Sequence, residues 1–307
     1  MKPSGEPGKE QRKSTGAKNG KDASEKREKR RKRHALKGKT TEKKGGKILP
    51  PGPEPILLLG DITGKGRVGV RMLTAQLEAL GHEVLALPTA LISNIFSLGS
   101  HRMLETTGYL LDTLDMWEQM GIGYGMLYVG YITGSAQARA LCGAMEQARA
   151  RGVRVIVDPI LGDGGKMYRS VSEDQLEGMR QLCRRAEIIT PNMTEACLLS
   201  GLPCAPVLSR DALLAATRSL AAPGSSVLIT GSALEDGTHA VVGVDGATGE
   251  ALFLPYEAVE GEHYGTGDRF TALLIDGLAH GQDISSAARA AADGVRSMIL
   301  THMHEKG

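Results

Sequence analysis

The sequence predicts an α/β fold, a doubly wound and mostly parallel sheet with helices on both faces. Apolar, strand-like runs alternate with amphipathic helical segments over most of the 307 residues. Strands separated by helices pair in parallel through right-handed crossovers. Runs such as residues 153–157 are apolar or β-branched almost throughout, as expected for strands buried on both faces. Because ligands of such sheets bind at the carboxyl ends of the strands, the residues that follow strands are the candidates for a functional site.

The individual elements follow from the period of the apolar residues. Short apolar or alternating runs predict strands at residues 56–60, 83–87, 126–131, 153–157, 187–190, 226–230, 239–244 and 251–255. We expect the strand at 239–244 to be half exposed. Helical spacing predicts helices at residues 67–80, 103–120, 136–150, 172–185, 194–200 and 212–220, followed by two C-terminal helices. Ser172 is the expected N-cap of the fourth of these.

The N-terminal segment differs in charge from the rest of the chain. Residues 1–46 carry a net charge of +11, and the remaining residues carry −9. The segment contains almost no large apolar side chain, so it cannot bury enough surface to order itself. Residues 1–50 are therefore predicted to be a disordered basic tail with a proline-rich linker. Nucleic-acid binding by residues 29–33 stays an alternative, although no interleaved aromatic side chain is available to stack on bases.

The remaining composition points to a cytoplasmic protein. No run of 18 apolar residues is present, so we expect no membrane span. The beginning of the chain lacks the apolar segment of a secretory signal. The four cysteines form no Cys-x-x-Cys pair, and they are expected to be reduced structural thiols rather than zinc ligands.

The most informative motif is the sequence Tyr-Gly-Thr-Gly-Asp-Arg-Phe at residues 264–270. It leads directly into an amphipathic helix. Gly265, Thr266 and Gly267 lie where backbone N–H groups at a helix start can bind an anion, most naturally a phosphate. A carboxylate repels phosphate, so Asp268 makes sense if it faces the group that attacks the phosphorus. We expect the positive potential of the helix start to keep Asp268 ionised.

Further polar residues follow the predicted strands and would share one edge of a parallel sheet. They are Asp61, Thr89, Tyr131, Asp158, Thr190, Asn192 and Glu195. Each has a purely structural alternative, since Asp158-Pro159 is a usual end of a strand and Asn192 or Thr194 can cap a helix. Their convergence beside a phosphate-type turn favours a functional site.

Taken in order, these motifs resemble those of the pyridoxal kinases of the ribokinase-like superfamily, particularly the bacterial pyridoxamine kinases. The matching segments lie at residues 66–69, 89–94, 130–131, 158–163, 190–195 and 265–268. The resemblance implies a ribokinase-like kinase domain over residues 54–304. It also implies ATP-dependent phosphorylation of the hydroxymethyl group of a vitamin B6 vitamer (pyridoxal, pyridoxamine or pyridoxine) to its 5′-phosphate.

The resemblance also implies a role for each candidate residue. Asp268 corresponds to the base that takes the proton of the substrate alcohol, and Gly265, Thr266 and Gly267 correspond to the anion hole for the transferring phosphoryl group. The residues implied to bind ATP and Mg²⁺ are Asp158, Thr190, Asn192, Glu195 and Thr230. Glu195 and Asp158 are the implied metal residues, largely through water. The residues implied to contact the vitamer are Asp61, Thr89 and Tyr131. A monovalent cation and a homodimer are further expectations of the same kind.

The sequence departs from the family pattern at two places. Many relatives carry Ser-Asn-His-Thr-Gly where this chain has Ser-Asn-Ile-Phe-Ser at residues 93–97, and Asp61 replaces a serine found in some relatives. Both departures concern recognition of the substrate ring. The alternatives are a hydroxymethylpyrimidine kinase of the same superfamily and a non-catalytic binding protein. A sugar kinase is disfavoured because no small β-lid is recognisable.

Overall fold

The computed structural model describes residues 54–259, 261 and 265–304, with side chains as far as Thr301. The predicted tail and linker, including residues 29–33, lie outside the described residues, as does Tyr264. The domain boundaries therefore stay a prediction. Within the described part of the chain, no helix is long and apolar enough to cross a membrane.

The order of elements alternates between strands and helices over most of the chain. The strands are β1 (Ile56–Lys65), β2 (Val84–Asn94), β3 (Met103–Glu105), β4 (Met126–Val129), β5 (Arg154–Val157), β6 (Gly162–Asp163), β7 (Lys166–Met167), β8 (Ile188–Ile189), β9 (Ser226–Ala233), β10 (His239–Val244) and β11 (Ala251–Tyr256). The helices are α1 (Val70–Ala79), α2 (Thr107–Met120), α3 (Ser135–Ala150), α4 (Glu173–Cys183), α5 (Met193–Ser200), α6 (Arg210–Leu220), α7 (Thr266–Ala279) and α8 (Ile284–His304), with a short 3₁₀ helix at Phe96–Leu98.

The described residues form a nine-stranded sheet with the order β11-β10-β9-β8-β5-β4-β1-β2-β3. The six strands from β9 to β2 pair in parallel. The edge strands are antiparallel, because β10 and β11 follow β9 as a meander and β3 returns against β2. The predicted fold class is confirmed, and all carboxyl ends of the parallel strands lie along one edge.

Both faces of the sheet are buried, as the continuous apolar strands predict. Leu57 and Leu59 point to one face and pack with helices α2 to α6, whereas Ile56 and Leu58 point to the other and pack with α1, α7 and α8. All four side chains are fully buried, and each contributes about 1.5–3 kcal/mol of hydrophobic stabilisation. This packing fixes α7, which carries the glycine-rich motif at its start, against the same face of the sheet as α1.

The structure corrects several predicted elements. Residues 103–105, predicted as the start of a helix, form β3, because pairing with β2 satisfies their backbone at the sheet edge. Strands β1 and β2 run past their predicted ends, since a register shift between Gly60 and Asp61 lets pairing continue. The hairpin of β6 and β7 was not predicted. Strand β10 is buried rather than half exposed, because it lies between β9 and β11 and is covered on both faces.

Helix α4 follows the sequence closely. Its N-cap is Ser172, as predicted, and the cap is a complete capping box with Gln175. Helix α1 begins at Val70 rather than at residue 67, because Gly69 before it has a φ of 56° that is incompatible with a right-handed helix.

Candidate active site

Helix α5 presents the first group of site residues, immediately after β8. Asn192 and Glu195 form a reciprocal capping box: the Asn192 Oδ1 atom accepts from the Glu195 N–H at 2.9 Å, and Glu195 Oε2 accepts from the Asn192 N–H at 2.8 Å. Glu195 Oε1 accepts a third hydrogen bond, from the Leu161 N–H at 3.1 Å. The structural alternative for Asn192 is thus correct, and the same bonds orient the Glu195 carboxylate rigidly.

Asp158 follows β5 and lies in the floor of the site. Its Oδ2 atom accepts hydrogen bonds from Thr271 Oγ1 at 3.2 Å and from Tyr128 Oη at 3.4 Å. Burial raises the pKa of Asp158 to about 6, although the hydroxyl groups of Thr271, Thr190 and Tyr128 act in the opposite direction. A buried carboxyl group with only hydroxyl partners has unused acceptor capacity for a cation or a ligand hydroxyl.

The threonines after β8 and β9 lie beside these carboxylates. Thr190 is buried near Asp158. Thr230 is half-buried, donates its N–H to the Pro191 carbonyl at 2.9 Å and pairs with Asn192 as a parallel bridge. The two threonines therefore line the same edge of the sheet as the capping box.

Asp268 lies in the first turn of α7, opposite the start of α1. The Gly69 N–H donates a hydrogen bond to its carboxylate. Burial raises the pKa of Asp268 to about 7, helped by Asp158 and, to a smaller extent, by Asp61. Contrary to the expectation that the helix start keeps Asp268 ionised, burial and the neighbouring carboxylates raise its pKa, so that it is not fully ionised near neutral pH in the ligand-free protein.

Gly69 determines how closely Asp61 approaches this group. A Cβ atom on Gly69 would lie 2.7 Å from Asp61 Oδ1, so only glycine leaves room for the carboxylate. Asp61 is buried, and burial raises its pKa. The backbone between α1 and β1 thus brings Asp61 beside Asp268.

The predicted anion hole forms the start of α7. Gly265 is the N-cap and has a φ of 78°, a left-handed conformation that favours glycine. A side chain there would also meet Met72, whose Cε atom lies 3.1 Å from an ideal Cβ position. Thr266 and Gly267 form the first turn, next to Asp268, where helix N–H groups point out of the helix end.

Several negative groups are concentrated around this helix end. Burial and then Asp158 raise the pKa of Glu195 well above its usual range. Burial, together with Glu195, Asp163, Asp158 and Asp268, raises the pKa of Tyr168 to about 12, which locates this tyrosine of the β6–β7 region beside the carboxylates. Among the described residues, no lysine, arginine or histidine forms an ion pair with Asp158, Glu195 or Asp268. Carboxylate oxygens without an internal cation are a donor set that fits Mg²⁺.

A second cluster lies at the other side of the site, around Thr89 and Tyr131. Thr89 is fully buried, and its hydroxyl group donates to the Tyr131 carbonyl at 2.7 Å. Its own carbonyl accepts from Gln137 Nε2 at 2.9 Å. The Tyr131 hydroxyl accepts from Gln175 Nε2 at 3.1 Å and lies 3.7 Å from the Met103 Sδ atom. Because the Thr89 hydroxyl group donates its proton to the Tyr131 carbonyl, it can only accept a hydrogen bond from a ligand.

Aromatic rings complete this cluster. The Phe96 ring lies 5.9 Å from the Tyr131 ring and 4.8 Å from the His101 ring, the latter in a T-shaped arrangement. Phe96 and His101 both belong to the connection between β2 and β3. Asp61 contributes to the raised pKa of Tyr131, so it links this aromatic cluster to the carboxylates around Asp268. A flat, partly apolar ligand with a polar substituent fits such surroundings.

The structure adds residues that the sequence did not single out. Tyr128 lies within a predicted strand, where a buried aromatic side chain is expected for packing alone. Thr271 lies three residues beyond Asp268, a spacing that places both on the same face of α7 and could have indicated it. Gln137 and Gln175 carry no sequence signal, because they reach the site from distant helices.

The chain is similar to known kinases in sequence and in fold. The family model described as phosphomethylpyrimidine kinase matches residues 121–306. A pyridoxine/pyridoxal/pyridoxamine kinase of Bordetella avium is 32% identical over 238 residues, which cover 73% of this chain and 77% of the relative. The chain belongs to the pyridoxal kinase family of the ribokinase-like superfamily.

Solved structures of pyridoxal kinases share the fold. The crystal structure of pyridoxal kinase from Lactobacillus plantarum has a TM-score of 0.73 at 24% identity, covering 83% of this chain and 91% of that chain. Pyridoxal kinase from Leishmania donovani in complex with ADP and pyridoxamine has a TM-score of 0.69 at 23% identity, covering 80% and 88%. As a pyridoxal kinase family member, the chain is a phosphotransferase that acts on an alcohol group.

Proposed function

We propose that this protein transfers the γ-phosphoryl group of ATP to the hydroxymethyl group of a vitamin B6 vitamer, forming the 5′-phosphate. The observation that supports this most directly is the position of Asp268. It lies in the first turn of a helix that starts with a glycine in a left-handed conformation, with Asp158 close enough to raise its pKa. One group can thus face an alcohol while the adjacent helix start faces a phosphate.

Asp268 is the proposed base. Its carboxylate orients the substrate alcohol and accepts its proton as the alcohol oxygen bonds to the γ-phosphorus. The bond from that phosphorus to the bridging oxygen breaks, and ADP leaves. The backbone of Gly265, Thr266 and Gly267 stabilises the negative charge of the phosphoryl group in transfer. Phosphoryl transfer requires mainly alignment and charge stabilisation, and these groups supply both.

Asp158 and Glu195 are the proposed metal residues, largely through water. When bound, Mg²⁺ would neutralise phosphate charge and align the nucleotide. Asn192 orients Glu195, and Thr190 and Thr230 line the proposed path of the nucleotide phosphates. The assignment is supported by the absence of an ion pair to either carboxylate among the described residues. The family resemblance also implies a monovalent cation as a further cofactor, and we include it in this proposal.

Asp61, Thr89 and Tyr131 are the proposed vitamer residues. The aromatic cluster around Tyr131 supports a flat ring as the substrate, and Asp61 lies between that cluster and Asp268. Recognition of ring substituents then depends on residues of the β2–β3 connection, where the sequence departs from the family pattern.

A homodimer and a cytoplasmic location also belong to this proposal. Large apolar side chains are exposed on β3 and α2, and this supports the dimer: Met103, Leu104, Tyr109, Met116 and Met120. Light scattering of the wild type and of a Met116→Glu, Met120→Glu double variant tests it. A monomeric wild type would contradict the dimer.

The function is tested by incubating the full chain with MgATP and each of pyridoxal, pyridoxamine, pyridoxine and hydroxymethylpyrimidine. We expect an ATP-dependent monophosphate from at least one B6 vitamer and little from the pyrimidine. Asp268→Asn is the matched inactive control. Phosphorylation of hydroxymethylpyrimidine alone would make the protein a hydroxymethylpyrimidine kinase. The absence of any phosphorylated product would contradict the proposed kinase activity.

A further inference from the structure

A second group of ligand-type side chains lies at the opposite end of α7 from the proposed active site. It consists of His82, which follows α1, and of Asp276 and His280, which lie on the last turn and the C-cap of α7. Because a helix rises about 1.5 Å per residue, Asp276 and His280 lie about 12–18 Å along the axis from Asp268. The group is therefore independent of the phosphate chemistry.

The side chains converge on one carboxylate oxygen. Asp276 Oδ1 lies 2.8 Å from His82 Nε2 and 3.3 Å from His280 Nδ1. One possible ligand atom from each of the three residues can be chosen so that all three atoms lie within 4.8 Å of one another. With metal–nitrogen bonds of about 2.0–2.1 Å, the donor atoms of a tetrahedral zinc site lie about 3.3 Å apart. Small side-chain movements would bring these three donors to that spacing.

The surroundings favour a cation. His82 is buried, and its contact with Asp276 directs the Nε2 atom into the group; on metal binding at Nε2 the ring proton lies on Nδ1, which has no hydrogen-bond partner among the described residues. The C-terminal end of α7 adds negative partial charge. His280 Nδ1 also lies 2.8 Å from the Asp276 carbonyl. The exposed His280 ring can exchange this contact for a metal because water can replace it at a helix end.

We propose that His82, Asp276 and His280 bind a divalent transition metal ion of the zinc type. Two imidazoles and one carboxylate are ligands that Zn²⁺ prefers, whereas Mg²⁺ prefers oxygen alone. Three protein ligands leave the fourth position to water. The bound ion would join the turn after α1 to the C-terminal end of α7. The N-terminal ends of both helices lie at the proposed active site.

Zinc titration of the full chain tests the site, in Mg²⁺-containing buffer and by competition with a chromophoric chelator. We expect His280→Gln and Asp276→Asn each to weaken Zn²⁺ binding at least tenfold. His239→Gln, which changes a half-buried histidine on β10, is the matched control and should leave the affinity unchanged. The wild-type melting temperature should rise with Zn²⁺, and this rise should be lost in His280→Gln.

Circular dichroism checks that the variants fold, and His280→Gln is suitable because its side chain is 61% exposed. Co²⁺ provides a second readout, since a tetrahedral site gives intense visible absorption that should be lost in the same two variants. The proposal is overturned if wild-type protein binds no Zn²⁺, or if His280→Gln and Asp276→Asn bind it as tightly as wild type. The latter result would assign the zinc to other ligands.

Discussion

The two halves of the proposed active site are built differently. In the nucleotide half, backbone N–H groups of Leu161 and Asn192 hold Glu195, and a helix start forms the anion hole. In the vitamer half, Tyr131 is held through its side chain by Gln175 and contacts Phe96. Glu195 and the anion hole are thus organised by backbone groups, whereas Tyr131 is organised by contacts with side chains from distant segments.

This difference separates the phosphate chemistry from recognition of the substrate ring. Every nucleotide presents the same phosphates, so a site fixed by the backbone suits any member of the superfamily. The substrate ring differs among members, and side chains can be exchanged without rebuilding the backbone. We therefore expect substitutions in the two halves to change different kinetic constants, and the following predictions test that separation.

The largest effect is expected from Asp268→Asn. Loss of the base should lower kcat by about 10²–10⁴-fold, whereas the Kd of MgATP should change less than threefold. Steady-state rates and calorimetric nucleotide binding measure the two quantities. Asp112→Asn, on the exposed side of α2, is the control. Near-normal turnover of Asp268→Asn would remove Asp268 from the mechanism.

Glu195→Gln should have the next largest effect. It removes the proposed metal-directing charge, so kcat/KM for MgATP should fall about 10–100-fold, with the KM of the vitamer nearly unchanged. Glu177→Gln, on the exposed face of α4, is the matched control. Equal increases in the KM values of both substrates would show that the two halves are not separable.

Tyr131→Phe should affect the opposite half. The Gln175 amide loses one of its two acceptors and keeps the Ile132 carbonyl, and the ring loses a polar group. We expect this to cost about 1 kcal/mol, or roughly fivefold in the KM of the vitamer. The KM of MgATP should stay within twofold. Tyr109→Phe, on an exposed side chain, is the control. A larger effect on MgATP than on the vitamer would contradict the assignment of Tyr131.

The last prediction concerns stability rather than a kinetic constant. Asp268 has a pKa of about 7 in the folded ligand-free protein and an ordinary value of 3.8, so the folded state binds more protons between these pH values. Its contribution to stability is present below pH 3.8 and is lost as the pH rises through 7. Asp268→Asn should therefore have a free energy of unfolding up to about 4 kcal/mol higher than that of wild type at pH 8. The difference should disappear towards pH 4.

Urea unfolding at both pH values measures this difference. Asp112→Asn, which changes an exposed carboxylate, should unfold like wild type at each pH. A variant less stable than wild type at pH 8 would mean that Asp268 is stabilised as a carboxylate in the fold, contrary to the raised pKa.

The sequence predicted the parallel core and its functional edge because both depend on local patterns. Continuous apolar runs identified β4 and β5, and Asn192 was one of two residues expected to cap the helix predicted at 194–200. Strand β3 could not be recognised, since its three residues form a strand only by pairing with β2. The raised pKa of Asp268 depends on its burial and on Asp158 and Asp61 from two other segments, so it follows only from the folded chain.

The connection between β2 and β3 has a consequence for the evolution of substrate preference. Its ends are closed by hydrogen bonds, from the Ser93 N–H to the Arg102 carbonyl and from the Ile95 N–H to the Lys65 carbonyl. The residues between them, including Phe96 and His101, belong to no strand and take no part in the pairing of the sheet. Such a segment can change in sequence, and with it the substrate preference, while the residues proposed to bind phosphate stay the same.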